Sequence, residues 1–131
     1  MTTAPPCPCG TLPALPIAGC CGRYHAGPLH LRAPTAEALM RSRYSACVLD
    51  LTDYLSATWH TSTRPGVIEP NPPGLKWLGL EVRQHSVQDA DHATVQFVAR
   101  SKLGGRAQRL HETSRFVRED GRWFYVDGDL R

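Results

Sequence analysis

No apolar run in this chain is long enough to span a bilayer, because proline, glycine or charge interrupts each one. The start, Met1-Thr2-Thr3-Ala4-Pro5-Pro6-Cys7, has neither a basic opening nor an apolar block. That argues against a secretory leader and makes the cytoplasm the expected address. Neither sign of charge dominates: the net charge is +3, too mild to demand a membrane or a nucleic acid as partner. Phosphate-cradling loops, dinucleotide fingerprints and nucleophile elbows are all missing, as are internal repeats. Proline and glycine are both absent from Thr35 to Arg64, which excludes turns there and leaves a helical region. Proline is absent again after Pro73, so the tail is free to form a sheet.

The helical region starts at Thr35, which can cap a first turn carrying Glu37. Ala36, Met40, Tyr44, Cys47, Val48 and Leu51 recur at spacings of three and four and form one apolar stripe, with Arg41, Ser42, Arg43 and Ser45 mainly off it. Asp50 is expected to end this helix and to cap a second, whose buried face is Leu51, Tyr54, Leu55 and Trp59; one long helix is the alternative. Four strand-like runs follow, at 77–87, 92–102, 108–118 and 122–127. They are separated by Gln88-Asp89-Ala90-Asp91, Gly104-Gly105 and Asp120-Gly121, all turn formers. Helices first and an antiparallel meander afterwards is the α+β pattern, with the helices on one face of the sheet.

Four of the five cysteines lie close together, as Cys7-Pro8-Cys9-Gly10 and, ten residues later, Cys20-Cys21-Gly22. In a reducing compartment such a quartet points to a structural Zn²⁺ held by Cys7, Cys9, Cys20 and Cys21. The alternatives are disulfides or free thiols, although adjacent Cys20 and Cys21 are poorly placed to bridge each other. His25, four residues beyond Cys21, could replace one sulfur. Cys47 falls on the helix stripe and reads as a small core residue.

Cys-Pro-Cys-Gly followed by Cys-Cys-Gly resembles the SEC-C zinc motif, named from the C-terminus of the SecA translocase. The run from Cys20 to Gly27, the helical segment 35–46, Trp77-Leu78-Gly79-Leu80-Glu81-Val82, Phe97-Val98-Ala99-Arg100 and the long segment 110–128 together resemble the bacterial YchJ-like family. The resemblance implies an N-terminal SEC-C-like zinc segment and linker over 1–33. It also implies a nuclear-transport-factor-2-like α+β domain over 34–131, with helices packed on a curved antiparallel sheet in a cystatin-like cone. Two features depart from the motif. The loop between the cysteine pairs holds ten residues where eight is usual, and Leu12 to Pro16 lacks the usual lysines, which weakens a SecA-like partner role.

The last hairpin suggests a site on its own terms. With a two-residue turn at Asp120-Gly121, Arg118 opposes Trp123, Phe116 opposes Tyr125 and Ser114 opposes Asp127. One face then carries Phe116, Tyr125, Ser114, Glu112 and Asp127, with His111, Thr113, Arg115, Val117, Phe124 and Val126 on the other; another turn length would exchange them. Glu112 and Asp127 could share a proton and do acid/base work with Ser114 and Tyr125. Alternatively they form a structural network with Arg41, Arg43 or Arg64. His60 and His111 read as satisfied polar groups.

These residues leave open whether the chain is an enzyme. The leading expectation is a non-catalytic zinc-containing binding or adaptor protein, with a small-ligand or partner pocket lined by Phe116, Tyr125, Glu112 and Asp127. The alternative is a cofactor-independent acid/base lyase or isomerase. RNA binding through the basic strip from Arg100 to Arg122 is the weakest reading, because no aromatic row accompanies it, and nucleic acid is not the expected partner. Dimerisation through the outer sheet face is implied by the fold alone.

Overall fold

The computed structural model describes residues 5–131. After a short 3₁₀ turn, Ile17–Gly19, come helices α1 (Gly22–His25), α2 (Ala36–Leu49) and α3 (Thr52–Ala57). Strands β1 (Lys76–Asp89), β2 (His92–Leu103), β3 (Arg106–Glu119) and β4 (Arg122–Leu130) follow. The Thr35 cap forms as expected, its hydroxyl oxygen accepting from the Ala38 N–H at 3.0 Å. The helical region does break at Asp50, which takes the left-handed conformation (φ 62°). Its carboxylate does not cap α3, however; it accepts instead from the Asn71 N–H at 3.0 Å.

The sheet is an antiparallel meander in the order β1-β2-β3-β4. Gly104-Gly105 and Asp120-Gly121 both have positive φ at their two positions, the mirror-image turn whose twist matches that of paired strands. Pairing joins only sequence neighbours, so β1 and β4 remain open edges. The expected curved cone is therefore corrected: the α+β order holds, but the sheet is neither curled nor closed. Three hairpins consume the pairing capacity of the inner strands, and four strands fall short of a closed barrel. The segment after α3 instead runs beside β4, where Tyr125 N–H bonds Thr58 O and His60 N–H bonds Tyr125 O.

The core lies between the helices and the inner sheet face. Leu39, Met40 and Tyr44 of α2, with Tyr54 and Leu55 of α3, pack on Val95, Phe97, Ala99, Phe116 and Trp123. Tyr24 of α1 and Ala33 belong to the same cluster, so the N-terminal segment docks on the helical layer. That docking explains a departure from the expected single stripe: Ser42, Arg43 and Ser45 are buried as well. With the sheet on one side and the cysteine segment on another, α2 has only a narrow exposed face.

Candidate functional site

The cysteine segment folds back on itself. The Cys7 N–H donates to Leu15 O at 2.7 Å, which closes the ten-residue loop and brings the two cysteine pairs together. All four side chains are buried and none is in a disulfide. Their Sγ atoms lie within 4.8 Å of one another, with Cys9 and Cys20 3.6 Å apart. Zn–S bonds of about 2.3 Å set tetrahedral sulfur separations of about 3.8 Å, so the quartet fits a closed zinc site. The crowding also suits a cation. Hydrogen bonding from Cys21 pulls the Cys9 thiol well below its usual range, while burial and the neighbouring sulfurs push Cys20 and Cys21 up. Such a group favours one thiolate unless a metal neutralises the rest.

His25 is not among these groups. Its Nε2–H donates to Ser42 O at 2.8 Å and its ring packs edge-on against Tyr54, fastening α1 to α2. Two more ties reach α2: the Arg41 guanidinium donates to Cys9 O at 2.8 Å, and Cys7 Sγ lies 3.4 Å from Ser45 Oγ.

On the far side of α2 a cavity of about 200 Å³ opens between the helices and the inner sheet face. Glu112, Ser114 and Tyr125 line it with Arg43, Trp59 and Trp77. The Ser114 hydroxyl donates to Glu112 Oε2 at 2.5 Å, and the Tyr125 hydroxyl reaches the same oxygen at 3.4 Å. Burial and the Glu112 charge push the Tyr125 phenol up to about 12. Phe116 packs edge-on against Tyr125. Arg43 donates from one nitrogen to Leu55 O at 2.8 Å and to Thr58 Oγ1 at 2.6 Å, with its guanidinium over the rings of Tyr125 and Trp59. Burial lowers Arg43 to about 10, which leaves it cationic at neutral pH. The Trp77 Nε1 is buried and has no hydrogen-bond partner among the described residues.

Asp127 is not in this cavity. The pairing runs as expected from Arg118↔Trp123 to Phe116↔Tyr125, and then a bulge at Val126 shifts the register. Arg115 therefore opposes Asp127 and Ser114 opposes Gly128. Asp127 lies on the outer face, exposed and bound to Arg115, so the expected Glu112–Asp127 pair does not form. Gly128 takes the inner position because a Cβ there would come within 2.5 Å of the Glu112 carboxylate. Of the arginines expected to satisfy these acids, Arg41 pairs with Glu37 and Arg64 reaches Ser56 O, while Arg43 makes no ion pair among the described residues. His60 is a satisfied polar group, its Nδ1 accepting from the Ser62 N–H and its Nε2–H donating to Glu119, but His111 is not: its Nε2 is buried without a partner among the described residues.

Trp77 lines the pocket without having been expected there, and Arg43, expected only as a partner of the carboxylates, lines it too. Arg43 had a signal, since Met40, Arg43, Tyr44 and Cys47 keep the i, i+3, i+4, i+7 spacing of one helix face. A charged residue on that face is rare enough to mark a site.

Among the described residues no helix is long and apolar enough to cross a membrane. Residues 35–128 match the family model described as the YchJ middle, NTF2-like domain. A UPF0225 protein of Methylibium petroleiphilum is 66% identical over 125 residues, covering 95% of this chain and 88% of that protein. One from Polaromonas naphthalenivorans is 59% identical and covers 98% of both. The solution structure of a SEC-C motif containing protein from Rhodopseudomonas palustris superposes with a TM-score of 0.80 at 31% identity, over 97% of this chain and 99% of that one. A crystal structure of another from Psychrobacter arcticus gives 0.76 at 31%, over 96% and 82%. With a matching domain model and relatives alike along almost their whole length, this chain belongs to the YchJ (UPF0225) family of SEC-C motif proteins.

Proposed function

We propose that the protein is a non-catalytic binding or adaptor protein of the cytoplasm, in which a structural Zn²⁺ on Cys7, Cys9, Cys20 and Cys21 holds one side of α2 and a small-ligand pocket occupies the other. The supporting observation is the pocket's composition. Aromatic and aliphatic walls enclose about 200 Å³, and Glu112 and Arg43 are already hydrogen-bonded within the wall. Groups so engaged orient a ligand more readily than they exchange protons with one, and Asp127, the partner that acid/base work would need, lies on the other face. The Trp77 indole and the aromatic rings beside it suit a ligand with an apolar body. On this reading residues 1–33 form a zinc segment that serves the 34–131 domain as a clamp.

A thermal-shift screen of small aromatic carboxylates and amides tests this, since a ligand selective for the native state raises the midpoint. Hits should lose their effect in Leu110→Trp, which crowds the pocket rim, where Leu110 is 40% exposed. A collection that shifts nothing would count against a ligand pocket. Turnover of a hit, followed by NMR and abolished by Glu112→Gln, would instead favour the lyase or isomerase reading.

A further inference from the structure

The outer face of the sheet divides its charge unevenly. At the β3–β4 hairpin end the arginines are engaged: Arg115 bonds Asp127 and both oxygens of Asp129, and Arg122 lies over the Phe124 ring. Toward the Gly104-Gly105 turn they are not. There the register sets Lys76 opposite Lys102 and Arg100 opposite Arg109, like charges face to face across strands. Such pairs cost stability, so a sheet built for stability alone would avoid them. Arg83 and Arg131 adjoin them around His111, whose protonation all but Lys76, Lys102 and Arg100 oppose after burial itself. Glu81 is the carboxylate among them, shared by Arg83 at 3.4 Å and Arg100 at 3.7 Å, and Asp129, held by Arg115, borders Arg131. Lys76, Lys102, Arg109 and Arg131 have no carboxylate partner among the described residues. All six cationic residues are exposed.

We infer that this half of the outer face binds the phosphodiester backbone of a nucleic acid duplex. Spacings of about 5 Å across strands and about 7 Å along them approach the phosphate spacing of a nucleic acid strand. Guanidinium forks dominate the array, and these grip phosphate oxygens in pairs. Among the described residues the half-buried His111 is the one aromatic ring amid Lys76, Arg83, Arg100, Lys102, Arg109 and Arg131, and no Phe, Tyr or Trp stands there to stack a base, so contact is with the backbone and carries no sequence preference. Arg100 and Arg109 flank a shallow groove floored by Leu78 and Ala107, where one phosphate can lie between two guanidiniums. A second copy of the chain is a poor occupant, since it would bring the same unpaired cations. The expectation that nucleic acid is not a partner rests on a mild net charge and the lack of an aromatic row; phosphate contact needs no such row, and the strand register gathers these cations on one face.

Fluorescence anisotropy with labelled RNA and DNA duplexes of ~20 base pairs tests the inference, with the full zinc-loaded chain. Engagement of about four phosphates predicts an affinity that falls about a hundredfold between about 50 and about 200 mM salt. Arg100→Gln/Arg109→Gln should weaken binding about tenfold or more and lower the salt slope by about two, with a thermal midpoint that does not fall, because both side chains are exposed and their mutual repulsion is relieved. Arg115→Gln/Arg122→Gln removes equal charge from the other end of the outer face and should leave binding within about twofold. Similar affinity for RNA and DNA fits phosphate contact alone, and a strong preference for RNA would name the source; both support the inference. Three results would overturn it: no saturable binding at the lower salt, equal loss in the two double variants, or displacement of the duplex by polyglutamate at matched charge, which would assign the face to an acidic protein.

Discussion

At the scale of single residues, Gly128 and Glu112 illustrate how tightly the pocket is specified. A methyl group at Gly128 would lie 2.5 Å from the Glu112 carboxylate, so Gly128→Ala must push Glu112 away from the Ser114 hydroxyl. We expect about 1–3 kcal/mol of destabilisation by urea denaturation, the usual range for overpacking, and Ser114→Ala to cost less in the Gly128→Ala background than in the natural chain. His25 provides a pH test. Burial depresses its folded-state pKa below the ordinary value, so the unfolded chain binds the proton more readily. Its contribution to stability is complete above about pH 6.5 and is lost as pH falls toward the depressed value. Denaturation midpoints should therefore fall between about pH 7.5 and about pH 5.5, and fall less steeply in His25→Gln. Equal slopes in the two proteins would show that His25 is not the group responsible.

At the scale of elements, α2 is the hinge of the design. Its Arg41, Ser42 and Ser45 meet the cysteine segment, while Met40, Arg43 and Tyr44 line the pocket. This two-sided burial is why a single apolar stripe described α2 incompletely: serines and an arginine can be buried when hydrogen bonds reach them, and helical periodicity does not register those partners. Deleting Met1–Gly22 should leave a cooperative thermal transition, since Tyr24 and the rest of the main cluster remain. It should also expose Ser45 and free Arg41, so amide exchange should quicken along α2 more than along β2 and β3. Loss of the cooperative transition would make the cysteine segment an integral part of the core.

At the scale of the whole molecule, the cysteine quartet stands in for part of a hydrophobic core at the N-terminus, where among the described residues only Ile17 packs against it. Metal analysis of protein purified under reducing conditions should find about one zinc per chain, and a strong chelator should lower the thermal midpoint. Cys9→Ser should reproduce the chelator's effect and make further chelation ineffective. A zinc-free natural protein with an unchanged midpoint would leave the thiols as ordinary buried groups. The open sheet matters at this scale too, because among the described residues the helices pack on its inner face and Arg100, Lys102 and Arg109 stay exposed on the outer one.

Local chemistry made much of this molecule readable in advance. Breaker-free Thr35 to Arg64 meant helix, paired turn residues meant hairpins, and clustered thiols meant a metal-sized nest, because each of these depends on residues a few positions apart. The pairing Phe116↔Tyr125 was equally accessible, lying close to a turn whose type its residues dictate. Beyond it the chain alone was insufficient. One bulge residue, Val126, sent Asp127 to the outer face and brought Gly128 in, since alternation of sides counts paired positions and not residues. The burial of Arg43 required Leu55 and Thr58, and the pairing of Arg100 and Arg115 on the outer face required carboxylates from neighbouring strands. Tertiary structure decided these features, because a charge or a pocket is defined by neighbours that are distant along the chain.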